Sequence, residues 1–256
     1  MKTKIGIVAC TRGFSIDYGY AADGCENQTA IEFAKVLDDQ EPSIALHKRT
    51  DNTFGVSIGC IPTKQTDNAN RNIRVYLTFN GLTEEKSRDI LLFYLEGWNQ
   101  WAETTEPFLQ AFHWNRKSTE QDEREWDVDF QIIRNMIENI PHVESSDKRL
   151  SDRWEQNNNS INRRKLLDLL QTHTFSASSG FKVVVTGPAP SQDSYNLLQE
   201  EVDRYLWTGG RNEKLKDTKL ETLPDPEPSN NGNGKKKVII LLILGILLII
   251  IAILWI

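Results

Sequence analysis

The chain has 256 residues, with 30 Lys and Arg against 36 Asp and Glu, a formal net charge of −6. That balance offers no basic excess to meet a phosphate backbone and excludes nucleic acid as an expected partner. Three widely spaced cysteines, Cys10, Cys25 and Cys60, form neither a CxxC pair nor a Cys/His set at zinc spacing, so neither metal nor cofactor is expected.

Residues 4–10, KIGIVAC, are apolar and β-branched and predict a buried strand. A Gly- and Tyr-rich stretch over 11–24 reads as a long loop. Ala30, Phe33, Ala34 and Leu37 then share one helical face. SIALHKR (43–49) and FGVSIGCI (54–61) flank the turn TDNT and predict a hairpin. Residues 62–72 read as polar loop, and IRVYLTF (73–79) alternates as a strand does. Thr83 is placed to cap a helix whose Glu84 and Glu85 suit its positive end. Ile90, Leu91, Tyr94, Leu95, Trp98 and Trp101 form its apolar stripe.

Trp126, Phe130, Ile133 and Ile137 follow a helical rhythm that Pro141 closes. The segment 144–160 is polar, and 161–171 returns to helix around Leu166, Leu167 and Leu170. FKVVV (181–185) predicts a second buried strand, and a helix is expected from Tyr195 to Trp207. These elements predict an α/β or α+β body over 1–207, a mixed sheet with helices in which the first and last strands are central. A division into 1–105 and 106–207 is an alternative.

From 208 to 237 the composition turns to Gly, Pro, Asn, Asp and Lys without apolar periodicity, and reads as a linker. Residues 238–256, VIILLILGILLIIIAILWI, hold nineteen residues without a charge. As a helix rising about 1.5 Å per residue they reach roughly 28 Å, the thickness of a hydrocarbon core. Lys235, Lys236 and Lys237 sit at the near end, where lysine favours the cytoplasmic side, and Trp255 suits the far interface. The expectation is a C-terminal transmembrane tail anchor with the body in the cytoplasm; a bacterial inner membrane is the assigned membrane. The N-terminus shows no secretory signal, so the cysteines read as reduced thiols.

Two stretches have the composition of a binding loop. Residues 11–24 carry Arg12, Asp17 and Tyr18 among glycines; residues 186–194 carry Thr186, Ser191 and Asp193. Each is read as following a strand and preceding a helix, where α/β folds bind ligands. Neither has the GK[ST] of a phosphate loop. Cys10 with one of His47, His113, His142 or His173 is a further nucleophile–base candidate. The carboxylates of 120–129 read as a solvated helix face, and NRRK (162–165) is a small basic cluster.

CTRGFSIDYGYAADG, ALHKRTDNTFGVSIGC and NANRNIRVYLTF, taken in that order over residues 5–80, resemble the N-terminal domain of bacterial GTPase-associated proteins, adaptor modules of conflict systems. A Gly-Asn-Phe-type segment and its following His are replaced here by Asn70-Arg71-Asn72-Ile73, so no functional residue is carried over. The resemblance implies a bacterial defence setting and an adaptor rather than an enzyme. Two functions are therefore weighed. One is a tail-anchored interaction protein whose partners are the bilayer and a protein or second copy. The other is a membrane-tethered enzyme or sensor of a nucleotide-like small molecule, using 11–24 and 186–194.

Overall fold

The computed structural model describes residues 5–13, 16–38, 40–66, 70–114, 126–144, 148–149, 158–175 and 177–187, all within one compact unit. The expected helix 195–207, the linker, the apolar run 238–256, and Ser191, Asp193, Lys235, Lys236, Lys237 and Trp255 lie outside the described residues. Among those described, no helix is long and apolar enough to cross a membrane.

The centre is a six-stranded sheet in the order β10-β3-β4-β5-β1-β2. Its strands are β1 (Gly6–Gly13), β2 (Ile16–Asp23), β3 (Ser43–Lys48), β4 (Phe54–Thr66), β5 (Asn72–Leu82) and β10 (Gly180–Val185). Every pairing in it is antiparallel. The body is thus α+β, and the mixed sheet of the sequence reading is corrected. Parallel pairing is confined, among the described residues, to two short strands, β8 (Lys148–Arg149) and β9 (His173–Thr174). β1 is interior, as expected, but β10 is an edge strand. Its sequence suggests a centre because Phe181, Val183, Val184 and Val185 are apolar and all of Phe181 to Val185, Lys182 included, is buried.

The stretch 11–24 is not a loop. β1 continues to Gly13 and pairs antiparallel with β2, with Cys10↔Tyr20 and Arg12↔Asp17 among the partners. Ile16, Tyr18 and Tyr20 are β-formers at period two, a signal masked by Gly13, Gly19 and Gly24 in and around them. Likewise β4 and β5 extend to Thr66 and from Asn72, into the expected polar loop.

Period-two alternation gives the sheet two buried faces. One carries Ile7, Ile44, Leu46, Val56, Ile58, Val75, Leu77 and Phe79, and packs in a single core with the helices α2 (Glu84–Glu96), α3 (Trp101–Thr105), α4 (Phe130–Glu138) and α5 (Ser160–Thr172). The other carries Cys10, Ala45, Cys60, Tyr76, Phe181 and Val184 against Phe33, Val36 and Leu37, in and just after the short helix α1 (Gln28–Ala34).

Local signals account for the helix ends. Thr83 accepts the Lys86 N–H at 3.2 Å and caps α2. Asp129 accepts from Gln131 N at 2.9 Å and Ile132 N at 3.3 Å, so α4 starts at Phe130. Trp126, expected in that helix, instead pairs as β7 (Trp126–Val128) with β6 (Phe112–Trp114). Its ring lies 5.4 Å from Phe112, a cross-strand aromatic contact that outweighs its place in the helical rhythm. α4 is pinned at its middle and at its C-terminal end. Arg134 forms an ion pair with Asp23 of β2, and Lys86 Nζ donates to the carbonyls of Glu138 and Ile140 at 3.1 and 2.9 Å. Burial of Ile133 and Ile137 supplies the apolar side; truncating either to Ala costs about 2–5 kcal/mol.

Candidate functional site

Of the ligand residues expected from the sequence, Arg12 lines a cleft on the α1 side of the sheet. This narrow cleft is walled by Cys10, Arg12 and Tyr20 from β1 and β2, and by Ser57, Tyr76 and Thr78 from β4 and β5. Ala30, Ala34 and Leu37 close it from above. Its enclosed volume of about 10 Å³ matches a single water rather than a nucleotide.

Arg12 lays its guanidinium over the Tyr76 ring, 5.1 Å from the centroid. Such a contact contributes roughly 0.5–2 kcal/mol, depending on how dry it is. The Tyr76 hydroxyl donates to the Asp38 carbonyl at 2.8 Å. The Asp38 N–H donates to Thr186 Oγ1 at 2.9 Å, and Asn158 Nδ2 donates to the Thr186 carbonyl at 3.1 Å. Arg163 then donates to Asn158 Oδ1 at 2.6 Å and lies 5.2 Å from the Trp98 ring centre. One continuous polar chain therefore links Arg12 of β1 to Thr186 just beyond β10, and on to α5. Of the proposed ligand residues, Arg12 and Thr186 are brought into this chain. Asp17 and Tyr18 lie on β2 with side chains outside the described set.

Asp38 is the hub. Its Oδ1 accepts the N–H groups of Gln40 at 2.6 Å and Glu41 at 2.9 Å, an Asx turn that shapes the connection to β3. Gly187 passes so close that an added Cβ would sit 2.8 Å from Asp38 Oδ2 and 3.0 Å from Glu41 Oε2. Only glycine brings the backbone to that carboxylate pair. Sequence reasoning missed Asp38 and Tyr76. The DDQEPS run carried the Asx-turn signal, and Tyr76 was counted only as a strand residue.

The sheet is deformed at Tyr76. Ile58 pairs with Leu77 and Ile61 with Val75, so Gly59 and Cys60 together oppose Tyr76 in a bulge. Cys60 there takes φ +59°, a left-handed conformation that costs a non-glycine residue about 1–2 kcal/mol. Gly59 is tight against the ring: a Cβ would approach Tyr76 Cε1 to 2.7 Å and Ser43 Oγ to 2.5 Å. Nearby on the same face, His47 stands edge-on to Phe181, with centroids 4.8 Å apart. Burial, then the charges of Arg49 and Lys182, depress its pKa to about 4.

The Cys10–His47 pairing is corrected by the strand order. Two strands separate β1 from β3, which puts His47 about 14 Å away across the sheet. His142 belongs to the helical layer, where its Nδ1 lies 3.1 Å from Asp89 Oδ2. The thiol of Cys10 is buried and directed at its neighbour's carbonyl, Thr11 O, at 3.7 Å. The tryptophans divide as well. Trp98 and Trp101 lie 5.1 Å apart, whereas Trp114 stacks with Phe112 on the β6–β7 hairpin. Among the described residues no group of three or more His, Cys, Asp or Glu is arranged to hold a metal ion. The chain matches no protein-family model, no curated protein and no solved structure.

Proposed function

We propose that this chain is a membrane-tethered interaction protein. The apolar run 238–256 spans a bilayer, the segment 208–237 acts as a loose tether, and the α+β body binds a protein partner or a second copy at the membrane surface. The observation that carries this reading is the run of nineteen uncharged residues directly after Lys235, Lys236 and Lys237. Its length matches a hydrocarbon core, and the lysines favour a body on the cytoplasmic side. Among the described residues, the cleft beside Arg12 is water-sized, smaller than the several hundred Å³ that a nucleotide-like ligand needs. The resemblance of residues 5–80 to conflict-system adaptors suggests a bacterial defence setting and the bacterial inner membrane.

A second reading, a tethered sensor or enzyme of a small molecule, is favoured by one feature. Arg12 and Thr186 are joined through Tyr76 and Asp38 by a cation–π contact and two hydrogen bonds, so a ligand prising open the cleft would be felt at both.

Affinity capture of the chain from cells, with and without residues 238–256, separates the two. A stoichiometric protein held by both forms supports the adaptor. A co-eluting nucleotide or metabolite without a protein overturns it in favour of the sensor.

A further inference from the structure

α5 shows two contrasting sides. Leu166, Leu167 and Leu170 are buried and fix the helix against the core. On the outer side Ile161, Arg164, Lys165 and Asp168 fall at i, i+3, i+4 and i+7, one continuous stripe. Ile161 is 69% exposed, well above the 39% of Ile31 and the 41% of Phe93. The body gains nothing from so bare an isoleucine, and two cations stand one turn further along.

Arg164 meets Asp168 at 3.4 Å, but their side chains are 72% and 60% exposed. A pair this wet is weak and exchanges readily for another anion. Arg163 is committed elsewhere, over Trp98 and to Asn158 and Asn99. It helps lock the start of α5 in place, so the stripe is presented at a fixed angle.

We propose that this stripe is a docking surface for an anionic phospholipid bilayer, with Ile161 entering the acyl boundary and Arg164 and Lys165 meeting headgroup phosphates. Charge complementarity selects this occupant. The chain as a whole carries −6, so most of its surface is repelled by anionic lipid, and a local cationic stripe with an apolar tip turns one side toward it. One isoleucine is too small an apolar centre for a stable protein interface, which needs about 1,000 Å² or more. It suffices for a surface contact once the body is tethered. The inference rests on the reading of 238–256 as a membrane span. The thirty residues of 208–237 give a reach on the order of 30 Å, which holds the bilayer at high effective concentration.

The test uses the full chain with vesicles of phosphatidylcholine alone or of an equal mixture with phosphatidylglycerol. Flotation after a carbonate wash reports the span; hydrogen exchange in the peptide covering 160–168 reports the docking. Exchange there is expected to slow about tenfold on the anionic vesicles relative to the neutral ones, as two cations engage the surface. The slowing should vanish at high salt, in the Arg164→Glu/Lys165→Glu double variant, and in large part in Ile161→Asn. All three positions are exposed, so folding is not at stake. Carbonate-resistant flotation with equal exchange on both lipids overturns the docking and leaves the span. Anionic-specific slowing in a chain that carbonate strips keeps the docking and overturns the span. Slowing without vesicles, growing with protein concentration, assigns the stripe to a second copy and overturns the proposal.

Discussion

Thr186 Oγ1 accepts the backbone N–H of Asp38 at 2.9 Å, joining residues 148 positions apart. Both residues are buried, so the bond satisfies a donor that water does not reach. Replacing Thr186 with Val keeps the shape and removes the acceptor. An orphaned buried N–H costs about 1–3 kcal/mol. Urea denaturation should show that loss for Thr186→Val and recover most of it for Thr186→Ser. Equal stability of Val and Thr would mean that the Asp38 turn is held by its carboxylate alone.

The Tyr76 ring and its hydroxyl are separable. Tyr76→Phe removes the donor to Asp38 O while keeping a face for Arg12, and should cost about 1 kcal/mol. Gly59→Ala instead drives a methyl group into the ring and Ser43. It should cost about 1–3 kcal/mol, as overpacking does, and shift the fluorescence and ring resonances of Tyr76. A neutral Gly59→Ala would show that the bulge relaxes freely.

His47 predicts a pH dependence of defined sign. Its pKa in the folded protein is lowered from 6.5 to about 4. Between those values the unfolded chain binds the proton and the folded chain does not, so acid favours unfolding. The contribution is fully present above pH 6.5 and is lost as the pH falls toward about 4. Melting temperatures across that window should fall less steeply in His47→Gln than in the parent chain. Matching slopes in the two proteins would assign the acid sensitivity to other groups.

The membrane reading is tested at the middle of the apolar run. Leu247→Arg places a charge at the bilayer centre, at a cost of about 2.5–3.5 kcal/mol on insertion scales. Carbonate-resistant membrane association should drop sharply for Leu247→Arg and persist for Leu247→Ala. Indifference to the arginine would require a different role for residues 238–256.

Much of the element order was legible because its signals are local. The Thr83 cap, the SIALHKR–FGVSIGCI hairpin and the leucines of α5 each act within a few residues, and each appears where expected. What was not legible depends on partners distant in sequence. Trp126 fits a helical rhythm, but Phe112 and Trp114 claim it for a strand. β10 has the composition of a central strand because it is buried on both faces, yet among the described residues it pairs within the sheet only with β3. The candidate site divides the same way. Arg12 and Thr186 stood out as polar residues beside apolar strands. Of the groups that connect them, Asp38 is marked only by the turn signal of DDQEPS and Tyr76 has no local mark, since its role comes from a bulge that brings separate strands together.

The pairing of β10 with β3 also sets a timetable for synthesis. β3 ends at Lys48 and its edge partner ends at Val185, so 137 residues must be made between them. At about 5–20 residues per second that interval is roughly 7–27 s. Throughout it the open hydrogen-bonding edge of β3, with buried-type residues Ile44 and Leu46 alongside, faces the cell without its native cover. Until β10 emerges, that edge is open to pairing with other chains. A stop codon or cleavage just before Gly180 would leave the rest of the sheet with an unpaired strand edge and a marked tendency to aggregate.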